Sequence, residues 1–177
     1  MKPLFILLTF AIFSSASAQD YCKLIKKEVS PDKKILDYST PPDAQEVPAV
    51  KISRSINLDP DYESDNFFMI FSLAGDLDNI YTKSPDGGQT EKEEYKLVVE
   101  FDDKSKIVDD TIKISHDFTD DKMQSIRYVY YTLTDPTIKD FTTKKITKFT
   151  LAGYEKTIPA DSANAIMHYV QCIKAAK

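Results

Sequence analysis

The reactive or ligating side chains of this chain are few enough to weigh one by one: two cysteines, two histidines, an alternating run of carboxylates and a cluster of tyrosines. Cys22 and Cys172 lie near the two ends. A redox-active pair needs a low-pKa thiol with a second cysteine close to it, and the sequence around each residue supplies neither. In an oxidising compartment two cysteines favour one disulfide. Cys22–Cys172 is therefore the expected staple, structural in role. Closing so long a loop stabilises a fold by about 5 kcal/mol in the chain-entropy model.

The histidines, His116 and His168, carry no H-x-x-x-H or H-E-x-x-H spacing. A zinc site needs several such ligands close together, so no metal and no cofactor is expected. His116 stands beside Asp117, and a triad with a serine is a matter of spatial rather than sequential neighbours. No G-x-S-x-G elbow accompanies it. Paired carboxylates for glycoside hydrolysis leave no signature, because their separation in space decides that chemistry. Two surface histidines are the expectation.

Asp59, Asp61, Glu63 and Asp65 alternate as calcium loops can. An EF-hand loop also requires glycine at its sixth position and a bidentate glutamate at its twelfth. Ser64 and Ile70 stand there instead, so a solvated acidic turn is expected, with Asp76 and Asp78 a weaker pair of the same kind. Arg54 interrupts the apolar face of Val50, Ile52, Ile56 and Leu58. An inward arginine can hold a carboxylate; the commoner outcome, expected here, is that it snorkels to the sheet edge. Tyr128, Tyr130 and Tyr131 could stack on sugars or peptides. Aromatics on alternating strand faces are more often core, and only an exposed aromatic patch would overturn that assignment.

These residues must be positioned by elements legible from periodicity. Lys2, the apolar run 4–13 and Ala16-Ser17-Ala18 form a secretory signal with an A-x-A cleavage site. The run is too short to span a bilayer. Gln19, Asp20 and Tyr21 separate Cys22 from the small residues, which speaks against a lipid anchor. Residues 1–18 are thus expected to be removed, leaving 19–177 as one exported, periplasmic or secreted β-rich domain.

Near the other end, Ala163, Ile166, Met167, Val170 and Ile173 recur at helical spacing. The helix begins at Ala160, with Asp161 or Ser162 as its expected cap and Pro159 ahead of it. Lys174 and Lys177 suit its negative end. Cys172 lies off the apolar stripe, on the flank with Tyr169, and His168 is expected to be exposed.

Between these ends the pattern is strand and turn. Ser30-Pro31-Asp32 is a turn, and 33–39 a strand with Ile35 and Tyr38 inward. Prolines exclude regular structure from 40–48, the segment expected to move most. Val50–Leu58 alternates cleanly. Phe67–Leu73 and Ile126–Leu133 are apolar on both faces, which predicts central strands covered on both sides. Gly75 ends the first of them, 79–82 adds a short extension, and 84–88 is a strong turn. Tyr95, Leu97, Val99 and Phe101 alternate up to an Asp102-Asp103-Lys104 turn. Residues 106–115 follow as a hairpin partner, with Ile112 and Ile114 inward. Asp135-Pro136 breaks the Ile126–Leu133 strand, 137–143 is ambiguous, and 146–151 is the last strand before the Gly153 turn.

Seven to nine strands with no helices between them predict a mainly β fold, α+β at the margin. The architecture is an antiparallel two-sheet sandwich or open barrel with one C-terminal amphipathic helix. The net charge is −5, and no basic cluster is interleaved with aromatics, so nucleic acid is not an expected partner. No stretch after the signal is apolar enough for a membrane span.

The A-x-A-Gln start, the early Tyr21-Cys22, the alternating strands and the closing strand–helix unit with a late cysteine resemble the layout of uncharacterised small secreted bacterial proteins. The resemblance implies a bacterial, exported domain and transfers no residue role. The function expected is a non-catalytic interaction or binding domain, whose partner is a protein or small molecule. A barrel-type carrier of a small apolar ligand is the alternative, although the tryptophan of a lipocalin-type G-x-W start is missing. An envelope hydrolase built around His116 is the third.

Overall fold

Alternating inward and outward side chains build most of this chain into antiparallel sheet. The computed structural model describes residues 20–40, 49–75, 81–83, 89–91, 96–118 and 125–176. The expected signal 1–18 with Gln19, the expected proline loop over 41–48, Asp76 and Asp78, the expected turn 84–88, Tyr95 and Lys177 lie outside them.

Twelve strands and two helices follow in order among the described residues. They are β1 (Lys26–Val29), β2 (Ile35–Ser39), β3 (Val50–Asn57), β4 (Ser64–Gly75), β5 (Tyr81–Lys83), β6 (Gln89–Glu91) and β7 (Leu97–Phe101). Then come β8 (Lys106–Asp109), β9 (Ser115–Phe118), β10 (Ser125–Thr132), α1 (Asp135–Thr143), β11 (Ile146–Leu151), β12 (Tyr154–Thr157) and α2 (Ala160–Ala175). A six-stranded sheet has the order β1-β2-β3-β4-β10-β9, a four-stranded sheet β12-β11-β7-β8, and β5 and β6 form a separate ribbon. Every pairing is antiparallel. The result is a two-sheet sandwich with a C-terminal helix, as expected, and not a closed barrel.

The inner faces meet through aromatic residues. Phe71 of β4 lies 5.2 Å from Phe149 of β11, ring centre to ring centre. Where the four-stranded sheet does not reach, α2 fills the gap, lying against both β3 and β11. Its Ala163, Ile166, Val170 and Ile173 are buried, so the apolar stripe read from sequence is the packing face. No side chain caps α2: Pro159 is the cap residue, and its carbonyl accepts from the Ala163 N–H at 2.8 Å. Asp161 and Ser162 fall inside the first turn and are not the caps expected of them.

Three further corrections have simple causes. Ile35 and Tyr38 cannot share a face, because side chains alternate with period two; Leu36 and Tyr38 point inward and Ile35 outward. The ambiguous 137–143 stretch is helical. Asp135-Pro136 ends the strand as expected and also opens this helix, since a helix start has no use for the missing N–H. The Thr137 hydroxyl accepts from the Thr134 N–H at 2.8 Å, and Phe141 anchors the helix against Phe101 and Tyr131. Finally, 106–115 does not continue as one strand. β8 pairs with β7 in one sheet, and β9 crosses to pair with β10 in the other, with Ile112 and Ile114 partly buried on the way.

Cys22 and Cys172 are bonded, with Cα atoms 5.2 Å apart. Residues 20–23 form a helical turn, and Tyr21 packs beside the staple. Its ring stacks on His168 at 5.1 Å and meets Tyr169 edge-on at 5.5 Å. The beginning of the domain is thereby clamped to the flank of its last helix.

Candidate binding surface

The two sandwich faces turned outward differ in chemistry. On the four-stranded sheet, Glu100 is ringed by cations: Lys106 Nζ is 3.2 Å from its carboxylate and Lys148 Nζ 3.9 Å. Lys148 also reaches Glu155 at 2.7 Å. The Lys106 hydrogen bond, with help from Lys148 and Lys104, holds the Glu100 carboxyl below its usual range. This is a solvated, internally paired surface.

The outer face of the six-stranded sheet is aromatic at its centre. Along β4, Phe67, Met69 and Phe71 are buried inward, while Phe68 and Ile70 face out and are half-buried. Along β10, Val129 and Tyr131 are buried, and Tyr130 is 55% exposed. Register places Tyr130 across from Ile70, Thr132 across from Phe68 and Tyr128 across from Ser72. The Tyr130 ring meets Phe68 edge-on at 5.5 Å and Tyr128 edge-on at 5.7 Å. On the next strand, Lys51 stands opposite Ile70 and Ser53 opposite Phe68. An aromatic patch with a hydroxyl-rich rim and one lysine results.

Two sequence expectations are overturned here. β4 and β10 are central strands, but the described residues cover them on one side only. Of the three tyrosines only Tyr131 is core; Tyr128 and Tyr130 belong to the outer face. The signal was present in the strand's parity. Beyond Ile126 that face of β10 is Tyr128, Tyr130 and Thr132, each with a hydroxyl, which a dry interface disfavours.

The remaining candidates have structural positions. Asp59 accepts from Lys34 Nζ at 2.6 Å, and one oxygen also accepts from the Asp61 N–H at 3.1 Å. Lys34 thereby holds the Asp59 carboxyl below its ordinary value. Asp65 takes a two-bond fork from Arg54, Nε at 2.8 Å and Nη2 at 2.6 Å, which lowers its carboxyl in the same way. Two of the four carboxylates thus serve ion pairs. Among the described residues no group of three or more His, Cys, Asp or Glu side chains is placed to hold a metal. His168 is half-buried rather than exposed: it stacks on Tyr21, and its Nδ1 is 3.0 Å from Gln171 Oε1. His116 lies on β9, where the register sets it across from Arg127.

The two arginines of the chain have opposite situations. Arg54 does not snorkel. Besides the fork to Asp65, its Nη1 donates to the carbonyls of Ile173, Lys174 and Ala176 at 3.1, 3.1 and 3.0 Å. It closes the carboxyl end of α2, where the helix leaves carbonyls without partners. Arg127 was not singled out by sequence, yet it is 7% exposed. Its guanidinium lies 4.7 Å from the ring centre of Tyr154 on β12.

The chain matches no protein-family model, no curated protein and no solved structure. Among the described residues no helix is long and apolar enough to cross a membrane.

Proposed function

We propose that this chain is a non-catalytic binding domain of an exported bacterial protein, and that it contacts a glycan through the outer face of the six-stranded sheet around Tyr130. The observation that carries the reading is the exposure of Tyr130 within a cluster of rings at the middle of a sheet. A lone exposed aromatic needs no explanation, but rings supported by one another and rimmed by hydroxyls form a surface that can exchange water for a ligand. The location selects the ligand class. An extended peptide that adds to a sheet binds at a strand edge, whereas the rings of Phe68, Tyr128 and Tyr130 lie on the face of the β4–β10 pair, which is continuous from Ser125 to Thr132. Contact with these rings comes through side chains. Flat rings beside Ser53, Thr132 and Lys51 suit the apolar face and the hydroxyls of a sugar ring. The disulfide and the A-x-A segment support export.

Binding of peptidoglycan and of a panel of soluble oligosaccharides by wild type and Tyr130→Ala tests the reading. Retention of wild type, with at least a tenfold weaker Tyr130→Ala of unchanged fold, is the expected result. Equal binding by both proteins, or no binding to any glycan, would overturn it.

A further inference from the structure

Arg127 is the charged residue among the otherwise apolar inward positions of β10. On β10 the inward positions are Arg127, Val129 and Tyr131, with relative exposures of 7%, 1% and 8%. The last two are ordinary core. A guanidinium at the first is a charge that cannot be neutralised by giving up its proton, so burial there calls for a counter-ion and acceptors for its donors.

Arg54 shows what satisfaction looks like in this fold. Its donors meet a carboxylate in a fork and three carbonyl oxygens. The Arg127 side chain has the Tyr154 ring, and among the described residues its guanidinium makes neither an ion pair nor a hydrogen bond. A cation over an aromatic ring gains less than removing a charge from water costs. The ring also offers no oxygen lone pair to the five N–H donors. The contact joins β10, the last strand but one of its sheet, to β12, the edge strand of the other, so the guanidinium lies between the layers towards one side of the sandwich.

We infer that Arg127 is the recognition group of a second site, between the two sheets, which takes a small oxyanion as a carboxylate or phosphate group. The arginine fork matches either group with two parallel hydrogen bonds. Tyr154 holds the fork from one side and fixes its plane. The site is independent of the Tyr130 surface, because adjacent inward and outward positions of β10 point to opposite faces of the sheet.

Having only two arginines makes the test direct. In 15N-labelled protein dialysed into dilute chloride buffer, each arginine gives one Nε–H signal, assigned through Arg127→Lys. Arg54, already paired, is the internal control. Inorganic phosphate and acetate are titrated separately at constant ionic strength. The expected result is a saturable shift and slowed solvent exchange of the Arg127 signal, with Arg54 unmoved, and at least a tenfold weaker response in Arg127→Lys followed through backbone amides of β10 and β12. Saturation by phosphate alone identifies a phosphate site, and by acetate alone a carboxylate site. If the Arg127 signal is already as protected as that of Arg54 before any anion is added, the chain satisfies its own guanidinium and the inference fails. An unsaturable drift of both signals overturns it equally. The wild-type titration decides the matter even where the lysine variant folds poorly.

Discussion

Arg54 grips Asp65 diagonally across β3 and β4 and, with its remaining nitrogen, holds the last carbonyls of α2. One side chain therefore ties the strand pair at the middle of the larger sheet to the end of the helix that completes the core. The Arg54 side chain is 17% exposed and that of Asp65 49%, so the pair is anchored on the arginine side and solvent-screened on the other.

That asymmetry predicts unequal mutants. Arg54→Met removes the partner of Asp65 and of the Lys174 and Ala176 carbonyls, leaves the Ile173 carbonyl with the Ala176 N–H alone, and should cost about 2–4 kcal/mol. Asp65→Asn leaves the helix end bonded and, because its carboxylate is half in water, should cost about 1 kcal/mol. Denaturant melts measure both. Hydrogen exchange in the last turn of α2 should accelerate in the arginine variant alone. Equal losses would mean that the carbonyl bonds contribute nothing.

The staple gives a second prediction. Cys172→Ser should lower stability by about 2–5 kcal/mol and keep the fold, because Ile166, Val170 and Ile173 still pack. Ile166→Asp or Val170→Asp should detach α2, since each puts an unpaired charge into the apolar interface. Thiol counting on unfolded, unreduced wild type should find no free thiol; two would remove the staple.

These two cases mark where sequence reading succeeds and where it stops. The α2 stripe, the Cys22–Cys172 pairing and the alternation of β3 and β7 were legible because period and compartment are local or compositional properties. Arg54 was visible as an anomaly, but its partners are 11 residues away on one side and about 120 on the other, and only the fold brings them together. The two-sided apolar pattern of β4 and β10 suggested cover on both faces. An aromatic outer face gives the same pattern, so sequence alone did not distinguish a buried strand from one with an exposed aromatic side. Tyr131 and Tyr130 differ only by parity, and their assignment depends on knowing which face the second sheet takes. Arg127 gave no sequence signal, because an arginine within a strand is most often on the solvent side.

Calcium should change thermal stability little. Asp59 is engaged by Lys34 and Asp65 by Arg54, so a cation would have to displace both. An upward shift in Tm at micromolar calcium would show that the acidic turn reorganises to bind it.

Acid should destabilise in a defined window. Asp32, Asp59, Asp65, Glu100 and Asp103 all have folded carboxyls below their ordinary values. Each such group contributes stability that is fully present above its unfolded pKa and is lost as pH falls through its folded one. Unfolded carboxyls titrate at about 4. The lowest folded one is Asp103, held at about 2 by the Ser105 hydroxyl and N–H and then by Lys144. Tm should therefore fall progressively from about pH 4 down, and Asp103→Asn should remove the lowest-pH part of that fall. Salt should weaken the contributions of Asp59 and Glu100, whose partners Lys34 and Lys106 are exposed, and should leave the Ser105 hydrogen bonds to Asp103 largely unchanged. A Tm unchanged down to pH 2 would contradict the assignment of these pairs.

The tyrosine pair separates a binding surface from a core within one dipeptide. Tyr131 is 8% exposed and meets Phe71 at 6.5 Å and Phe141 at 6.2 Å. Burial of its ring raises the phenol pKa. Tyr130 is 55% exposed, and its ring meets those of Phe68 and Tyr128 on the outer face. Tyr131→Ala should empty a ring-sized volume and cost about 3–5 kcal/mol. Tyr130→Ala removes edge contacts worth about 0.5–1.5 kcal/mol each at full strength, and water already reaches half of the side chain, so its loss should stay near 1 kcal/mol. Spectrophotometric titration of wild type and both variants adds an independent check: the phenol missing in Tyr131→Ala should be one that titrates late. Should Tyr130→Ala prove as destabilising as Tyr131→Ala, the outer rings would be part of a covered core, and the surface assigned to ligand binding would have to be given up.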